Sequence, residues 1–359
     1  MSFAITKPTL LVDESTCRNN IRKMAAKAEK SGVALRPHFK THQSADIANW
    51  FKEEGISKAT VSSVEMATYF ADNGWHDITI AFPYNPLEHK SIEQLAQRIK
   101  LNVLIESEES LKHINDNINS TLGYFIKIDV GTGRTGITSS QFNVLPKLRS
   151  KNPKHELVGL LAHAGHAYKK IDRAEALKIY SQSVEILSQA KSLLGDQHLM
   201  LSYGDTPTCS LLDDFSTVNE IRPGNFVFYD AIQNFYGSCG ISDIAVCMAC
   251  PVVAIHKDRN EIVVYGGGVH FSKDSIKGSD SPYGLVVTLT PSGWQQEPIA
   301  KFVRLSQEHG IISGSDNFIS SLKIGDLVGI LPVHSCMAAD LQGSYRSLSG
   351  MRLSKLNKE

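Results

Sequence analysis

Short apolar runs alternate with amphipathic stretches between residues 33 and 235 of the chain. The runs are rich in β-branched residues, and the stretches between them, such as SADIANWFKEEG and RAEALKIYSQSVEILSQAKSLLG, have the apolar spacing of helices. Eight strands separated by helices predict a parallel sheet and favour a (β/α)8 TIM-type barrel, with an open doubly wound sheet as the alternative. The predicted strands are residues 33–40, 59–64, 77–83, 101–107, 124–130, 157–163, 198–204 and 218–229.

A different pattern begins near residue 236. Strand-like runs now follow one another without long helices, as in AVCMACPVVAIHK, EIVVYGGGV, GLVVTLT, FVRLSQEHG and LVGILPVHSC. This succession predicts an antiparallel β domain of the sandwich or barrel type. We therefore predict a barrel domain over residues 1–235 and a β domain over residues 236–359, with the amino-terminal PTLLVD run able to pair with the second domain.

Composition and charge narrow the class of protein. The 359 residues suffice for two domains, and 37 basic residues balance 37 acidic ones, so no broad basic face is available for nucleic acid. The amino terminus lacks a signal-peptide pattern, and the longest apolar run, near residues 244–255, is too short for a membrane span. Six cysteines are too few for a disulfide scaffold, and Cys247 and Cys250 lie in an apolar run that favours buried thiols. We expect a cytoplasmic protein without nucleic-acid or membrane partners.

A lysine stands at the end of the first predicted strand, in the segment RPHFKTH. Active sites of (β/α)8 barrels lie at the carboxyl ends of the strands, so Lys40 is expected to point into the barrel mouth. Burial there would lower its pKa, and a neutral amine is what attack on an aldehyde requires. The alternative is a lysine that only extends from a strand end into solvent.

Other strand ends carry glycine, hydroxyl and imidazole groups. GTGRTG, with Arg134, follows the fifth strand, and His163 and Tyr168 follow the sixth, where they can contact a ring or a hydroxyl. The SYGDTPT and RPGN segments end the seventh and eighth strands, the usual place for phosphate in this fold. The candidate phosphate-binding residues are Ser202, Gly204, Thr206, Gly224 and Asn225.

The late segment PVHSC offers a metal site. On a strand, His334 and Cys336 would face the same side, and imidazole with thiolate favours Zn²⁺. The alternative is a core cysteine beside a hydrogen-bonded histidine. The run SQEHG, with His309, can supply an acid or base or can form only a turn.

Taken together, these segments resemble the D-threonine aldolase / D-serine dehydratase family of fold-type III pyridoxal 5′-phosphate (PLP) enzymes, which is related to alanine racemase. The resemblance extends from PTLLVD to HSCMAAD and is most specific at RPHFKTH, close to the family's R-P-H-x-K-T-H, whose lysine binds PLP. Tyr203 and Asp205 stand where the family often has small residues, and Asp205 is expected to point away from a phosphate. The resemblance implies that Lys40 is catalytic and binds PLP, that Arg134 lies near the cofactor ring, and that His334 and Cys336 bind the metal. It also implies phosphate contacts in the SYGDTPT and Gly224–Asn225 segments, which include Ser202, Gly204, Thr206, Gly224 and Asn225. We further predict cofactor contacts by His38, His163 and Tyr168 and a catalytic role for His309.

The resemblance also implies a reaction. We expect a lyase acting on a small β-hydroxy-D-amino acid, as a homodimer with PLP and a divalent metal, Zn²⁺ before Mn²⁺ or Mg²⁺. Cysteine as the second metal ligand favours a dehydratase of D-serine or D-3-hydroxyaspartate, because aldolases of the family can use aspartate there. A D-threonine aldolase is the first alternative. A racemase, with Tyr265, Tyr283 or Tyr345 as second base, and a non-catalytic PLP-carrier protein resembling the barrel alone are the others.

Overall fold

A computed structural model describes residues 3–357 of the chain. The chain forms two compact units, each assembled from separate segments. The boundary drawn after residue 235 from the sequence stays a prediction. One unit comprises Arg22–Lys40 and Phe51–Gly224, and the other comprises Met1–Ile21, Thr41–Trp50 and Asn225–Glu359.

The strands and helices are numbered in chain order. The strands are β1 (Thr9–Val12), β2 (Ala34–Leu35), β3 (Lys58–Val61), β4 (Asp77–Pro83), β5 (Lys100–Ile105), β6 (Leu122–Ile128), β7 (His155–Ala162), β8 (Met200–Tyr203), β9 (Glu220–Ile221), β10 (Val246–His256), β11 (Glu261–Tyr265), β12 (Gly284–Val287), β13 (Leu289–Thr290), β14 (Gly293–Trp294), β15 (Ala300–Leu305), β16 (His309–Ser313), β17 (Leu327–Pro332), β18 (Tyr345–Ser347) and β19 (Arg352–Leu353). The α-helices are α1 (Glu14–Lys30), α2 (Ala45–Glu53), α3 (Val64–Asp72), α4 (His89–Ala96), α5 (Glu108–Asn117), α6 (Arg173–Leu194), α7 (Thr206–Leu211), α8 (Ala231–Tyr236), α9 (Gly268–Phe271), α10 (Asp316–Ser321) and α11 (Ser335–Asp340).

The first unit contains a nearly closed parallel barrel, as predicted. Within residues 3–357, its eight strands follow the order β2, β9, β8, β7, β6, β5, β4, β3. A parallel bridge between His38 and Thr60 joins the two ends of this order. The apolar side chains of Leu104, Phe125 and Leu161 pack together on β5, β6 and β7.

The first and last barrel strands are shorter than predicted. Residues 33–40 are regular only at Ala34–Leu35, because Pro37 lacks an N–H and interrupts the ladder. The pairing continues irregularly, with the His38 N–H donating to the Pro223 carbonyl at 2.9 Å. In the same way, Pro223 and Gly224 end the strand that was predicted over residues 218–229.

Helix α6 shows how the sequence sets the helix bounds around the barrel. It begins after Asp172, whose side chain accepts a hydrogen bond from the Glu175 N–H, and ends at Gly195, which has φ = 64°. Its buried face includes Ile179 and Leu187, and burying each such side chain contributes about 1.5–3 kcal/mol.

The second unit is a mostly antiparallel β domain, which confirms that prediction. Strands β10, β11, β16, β15, β12 and β17 close a ring, because β10 pairs with both β17 and β11. The PTLLVD run forms β1, which pairs antiparallel with β10 and parallel with β18.

Two strand predictions in this unit were wrong in detail. The EIVVYGGGV run leaves the sheet at Tyr265 and turns into α9. The reason is close packing at Gly266, where a Cβ would lie 2.6 Å from the Cys250 Sγ. The FVRLSQEHG run is not one strand, because it contains the end of β15, a turn and the start of β16.

Candidate active site

Lys40 is held in place by its buried neighbour. The Phe39 side chain is fully buried against the rings of Phe51, Phe70 and Trp75, at centroid distances of 4.7–5.2 Å. The Phe39 N–H also donates to the Thr60 carbonyl at 2.8 Å. Lys40 itself is exposed, so the expectation that it is buried was wrong. It lies five residues beyond the end of β2, where a lysine head group can reach water.

His163, at the end of β7, lies within the electrostatic reach of Lys40. Burial, followed by the positive charge of Lys40, lowers the pKa of His163 to about 3, so its imidazole is neutral at pH 7. The Nδ1 atom is 2.7 Å from the Gly204 carbonyl oxygen. Because a carbonyl only accepts, Nδ1 carries the proton and Nε2 is left as an acceptor. The Tyr168 ring centroid lies 5.9 Å from that of His163.

The loop after β8 contains an unsatisfied buried hydroxyl. Thr206 is fully buried, and its Oγ1 has no hydrogen-bond partner among the described residues. The Thr206 N–H donates to the Tyr168 phenol oxygen at 3.3 Å. Leaving a hydroxyl buried and unpaired costs about 1–3 kcal/mol, so this position calls for an added acceptor such as a phosphate oxygen. At Gly204 a Cβ would lie 2.8 Å from the Arg222 carbonyl carbon, so the loop requires glycine there.

The Asp205 carboxylate is occupied by hydrogen bonds within its own segment, and its orientation relative to a phosphate stays a prediction. Its carboxylate accepts hydrogen bonds from the Tyr203 phenol and from the Thr208 N–H, both at 2.7 Å. Burial raises the pKa of Asp205 to about 6, although the bonds from Thr208 and Tyr203 oppose the rise. Asp205 therefore caps α7.

The hydroxyl of Ser202, predicted to contact a phosphate, belongs to a polar network inside the barrel. Its Oγ donates to a Glu220 carboxylate oxygen at 2.6 Å and accepts from Arg222 Nε at 2.5 Å. The other carboxylate oxygen of Glu220 accepts from Arg36 Nε at 2.9 Å. All four side chains are buried, and the negative Glu220 lies between the positive Arg36 and Arg222. The Ser202 side chain thus supports the barrel interior, and a phosphate contact by it stays a prediction.

Arg134 is exposed on a loop that the preceding residues anchor. The Asp129 carboxylate accepts hydrogen bonds from the backbone N–H groups of this loop, including that of Thr132 at 2.8 Å. The Thr132 hydroxyl donates to the His163 carbonyl at 2.7 Å and accepts from the Gly165 N–H at 2.9 Å. This anchoring fixes the Arg134 loop beside the His163 segment.

Lys127 is a buried amine that the sequence interpretation missed. Burial and then the charges of Arg222 and Arg134 lower the pKa of Lys127 to about 7, although Asp129 and Glu106 oppose this. Its Nζ donates to the Ile128 carbonyl at 3.1 Å. The sequence signal for this buried amine was a lysine inside the apolar run YFIKIDV. Residues two apart on a barrel strand face the same side, so this lysine shares its face with apolar side chains.

The second unit brings His334 and Cys336 together, but not on a strand. That prediction was wrong because β17 ends at Pro332, and Cys336 lies in the first turn of α11. The two side chains are nevertheless close enough for each to perturb the pKa of the other. Burial alone would lower the pKa of His334, but the bond and charge of Cys336, with Asp230 and Asp274, raise it to about 10. Burial opposes ionisation of Cys336 as well, yet the bond from His334 lowers the pKa of this thiol.

Further polar groups surround the His334–Cys336 pair. The Thr41 hydroxyl lies 3.3 Å from Cys336 Sγ, and Asn225 Nδ2 donates to the same sulfur at 3.4 Å. Asn225 Nδ2 also donates to the buried carboxylate of Asp230 at 2.6 Å. Asn225 thus lies beside the sulfur, which the sequence interpretation did not foresee. Its role as a phosphate ligand, like that of Gly224, stays a prediction.

The pair fits a divalent metal ion with open positions. Imidazole nitrogen and thiolate sulfur are preferred Zn²⁺ ligands, and both must be deprotonated to bind the ion. In residues 3–357 no group of three or more His, Cys, Asp or Glu side chains is arranged to hold a metal. Catalytic sites, unlike structural ones, keep a coordination position for water or substrate, and two protein ligands would leave such positions.

His309 and the three tyrosines have separate positions in this unit. His309 is exposed as the first residue of β16 and is paired in register with Tyr265, so its catalytic role stays a prediction. Tyr345 is fully buried, and its phenol donates to the His42 carbonyl at 2.6 Å. Tyr265 is 37% exposed, and Tyr283 packs its ring against Phe302.

Comparison with known proteins agrees with this arrangement. Residues 12–231 match the family model "Alanine racemase, N-terminal domain", and residues 245–347 match "Putative serine dehydratase domain". D-serine dehydratase of Dictyostelium discoideum is 30% identical over 96% of this chain and 94% of its own. 3-Hydroxy-D-aspartate aldolase of Paracoccus denitrificans (strain Pd 1222) is 25% identical over 92% of this chain and 85% of its own.

Solved structures show the same fold. D-threo-3-hydroxyaspartate dehydratase from Delftia sp. HT23 superposes with a TM-score of 0.91 at 25% identity, over 99% of both chains. A mutant of D-threo-3-hydroxyaspartate dehydratase in its metal-free form superposes with a TM-score of 0.92 at 24% identity, over 99% of both chains. Among the described residues, no helix has the length and apolar character needed to cross a membrane.

Proposed function

Because the chain belongs to the alanine racemase-like family of fold-type III PLP enzymes, we propose that it is a PLP- and metal-dependent dehydratase of a small β-hydroxy-D-amino acid. The products would be a 2-oxo acid and ammonia. The observation that carries the proposal is the proximity of His334 and Cys336, which perturb each other's pKa and together offer a metal two ligands.

The barrel unit supplies the residues for PLP. Lys40 would bind the cofactor aldehyde and move the proton at Cα, and the Thr206 hydroxyl with the Gly204 loop would receive the phosphate. His38, His163, Tyr168 and Arg134 would line the cofactor. PLP, when bound, withdraws electrons from the bonds at Cα of an amino acid.

The second unit supplies the metal ligands. His334 and Cys336 would hold a divalent ion, which when bound polarises the β-hydroxyl of the substrate as a Lewis acid. Thiolate ligation favours Zn²⁺ over Mn²⁺ or Mg²⁺, which prefer oxygen ligands. The metal-free form of a related dehydratase mutant supports a metal in this fold.

Product analysis tests the reaction type. Purified protein with PLP and Zn²⁺ or Mn²⁺ is incubated separately with D-serine, D-threonine and D-threo-3-hydroxyaspartate. A 2-oxo acid with equimolar ammonia supports the dehydratase. Glycine with an aldehyde would instead support an aldolase, the activity named for the relative from Paracoccus denitrificans. Racemised substrate without ammonia would favour a racemase, for which the buried phenol of Tyr345 is poorly suited.

Replacement of Lys40 tests the cofactor site. Lys40→Ala should lose both turnover and the visible absorbance of bound PLP. Lys90→Ala, an exposed lysine on α4, is the matched control and should retain both. Retention of the absorbance band in Lys40→Ala would overturn the assignment. Tight PLP retention in the unaltered chain, with no turnover of any β-hydroxy-D-amino acid, would instead favour a PLP-carrier protein.

We also propose that the chain acts as a homodimer in the cytoplasm. Val269 on α9 and Met337 on α11 are 39% and 40% exposed, and Leu341 beyond α11 is 43% exposed. Helices α9 and α11 contact each other, so these side chains belong to one region of the second unit. Clustered exposed apolar side chains are typical of association surfaces. Light scattering after size-exclusion chromatography tests the dimer, and a monomer at micromolar concentration would contradict it.

A further inference from the structure

One carboxylate outside the His334–Cys336 pair contacts the histidine directly. The Asp274 Oδ2 lies 2.7 Å from His334 Nδ1, which leaves Nε2 as the ring nitrogen available to a metal ion. A histidine has two possible metal-binding nitrogens, and the partner of one determines which is available. Asp274 stands sixty positions before His334 in the sequence, so no spacing motif connects the two residues.

Packing at the base of the Asp274 loop holds this contact in register. Ile276 is buried in one cluster with Val333 and Ala231, and Val333 directly precedes His334. The Ile276 N–H donates to the Pro282 carbonyl at 2.9 Å and so closes the loop. Each partner of the Asp274–His334 hydrogen bond is thus within two residues of the same apolar cluster.

The loop begins with an unusual backbone conformation. Ser272 has φ = 70° and ψ = −177°, a region that residues with a side chain rarely occupy. Its N–H donates to the Gly268 carbonyl at 2.8 Å, and its hydroxyl accepts from the Asp274 N–H at 3.2 Å. These bonds fix the direction in which the chain leaves α9 and carries Asp274 toward His334.

We propose that Asp274 is the positioning residue of the metal site, holding His334 with Nε2 presented to the ion. The inference rests on the proposed function, because it assumes that His334 and Cys336 bind a metal. Carboxylates that accept from the distal nitrogen of a ligating histidine fix the ring and increase its basicity. With a neutral imidazole, the Cys336 thiolate and the Asp274 carboxylate balance the charge of a divalent cation.

Metal binding to the full-length, PLP-loaded protein tests the inference. Dissociation constants for Zn²⁺ and Co²⁺ are measured by competition with a chromophoric chelator, and the Co²⁺ absorption spectrum reports the ligand set. Asp274→Ala should weaken binding about 10- to 100-fold. Asp274→Asn, which retains an acceptor oxygen without the charge, should lie between Asp274→Ala and the unaltered chain.

Asp280→Ala is the matched control. Asp280 lies in the same loop, its side chain is 82% exposed and it pairs with Lys301 rather than with His334. This variant should bind both metals like the unaltered chain. All variants are compared at temperatures where circular dichroism shows them folded, and Asp274→Asn carries the test if Asp274→Ala does not fold.

His334→Ala separates failure of the inference from failure of the proposed function. If His334→Ala loses metal while both Asp274 variants bind within twofold of the unaltered chain, the positioning role is wrong and the metal site stands. If His334→Ala binds metal normally, the metal site itself is wrong. Weakened binding in the Asp274 variants, with a changed Co²⁺ spectrum and an unaffected Asp280→Ala, supports the inference.

Discussion

At the scale of single residues, the Thr206 hydroxyl is the most direct test of where a phosphate binds. Thr206→Val removes a hydroxyl that is buried without a partner, so the unloaded chain should lose no stability. A hydrogen bond to a charged group contributes about 1.5–3 kcal/mol, so PLP should bind about 10- to 100-fold more weakly. Fluorescence titration of the unloaded protein with PLP measures this.

Thr79→Val is the control for this prediction. Thr79 is also fully buried, but its hydroxyl accepts from Asn102 Nδ2 at 3.2 Å, so its removal should destabilise the chain by about 1 kcal/mol. PLP affinity should not change in this variant. Equal PLP affinities in Thr206→Val and the unaltered chain would show that the phosphate binds elsewhere.

Asp205 gives the barrel unit a pH dependence of a defined sign. Its pKa is about 6 in the folded chain and about 4 in an unfolded one, so the folded state holds the proton more tightly. The contribution of this proton to stability is complete below pH 4 and is lost as the pH rises to about 6. The shift of two units corresponds to about 3 kcal/mol.

Comparison with Asp205→Asn isolates this effect. Between pH 4 and pH 6.5 the free energy of unfolding of the unaltered chain should fall relative to that of Asp205→Asn, because the amide does not titrate. Urea unfolding at several pH values measures the difference, and parallel pH profiles for the two proteins would contradict the prediction.

The sequence revealed residues whose chemical type is informative at short spacing, but not residues whose importance depends on their position in the fold. His334 and Cys336 were found because imidazole and thiolate at short spacing are informative in any local conformation. Asp274 and Lys127 were not found, because their importance depends on partners distant in sequence or on burial. The chemical role of Lys40 stays a prediction, and its exposure could not be inferred from a strand pattern.

At the scale of elements, the contact between the Asp274 loop and the end of β17 is a separable unit of packing. Ile276→Val removes one methyl group from the cluster with Val333 and should cost about 0.5–1.5 kcal/mol of stability. Because the cluster supports both Asp274 and His334, the metal affinity of Ile276→Val should fall together with its stability. Ile262→Val, at a fully buried position of β11, should cost similar stability without a change in metal affinity.

Thermal unfolding and chelator competition on the two variants test this pair of expectations. Equal metal affinities in Ile276→Val and Ile262→Val would show that the cluster stabilises the fold without supporting the site.

Elements with a clear period were predicted well, and those governed by close backbone packing were not. Strand β4 has the predicted bounds because DITIAFP is an uninterrupted β-rich run. The PVHSC segment reads as a strand by composition, yet it turns into α11 once Pro332 ends the ladder. Local propensity carries no information about such tertiary constraints.

At the scale of the whole molecule, the two compact units are not consecutive in sequence. Residues 41–50 belong to the unit that also contains Asn225–Glu359, although the SADIANWFKEEG pattern is that of any barrel helix. Thr41, which lies beside Cys336 Sγ, comes from this segment. Amphipathic spacing predicts that a helix buries one face, but it does not specify which core covers that face.

Removal of the metal should therefore abolish activity without releasing PLP. Exhaustive chelation is expected to abolish lyase activity and to lower the unfolding temperature, because a ligand present at one hundred times its dissociation constant stabilises by about 2.7 kcal/mol. The absorbance of bound PLP should persist, since Lys40 and Thr206 belong to the barrel unit and the metal pair to the other. Differential scanning calorimetry and absorbance on the same samples measure both effects. Cys336→Ala lacks one metal ligand, so chelation should not change its unfolding temperature. Full activity of the unaltered chain after chelation would show that the reaction proceeds without a metal.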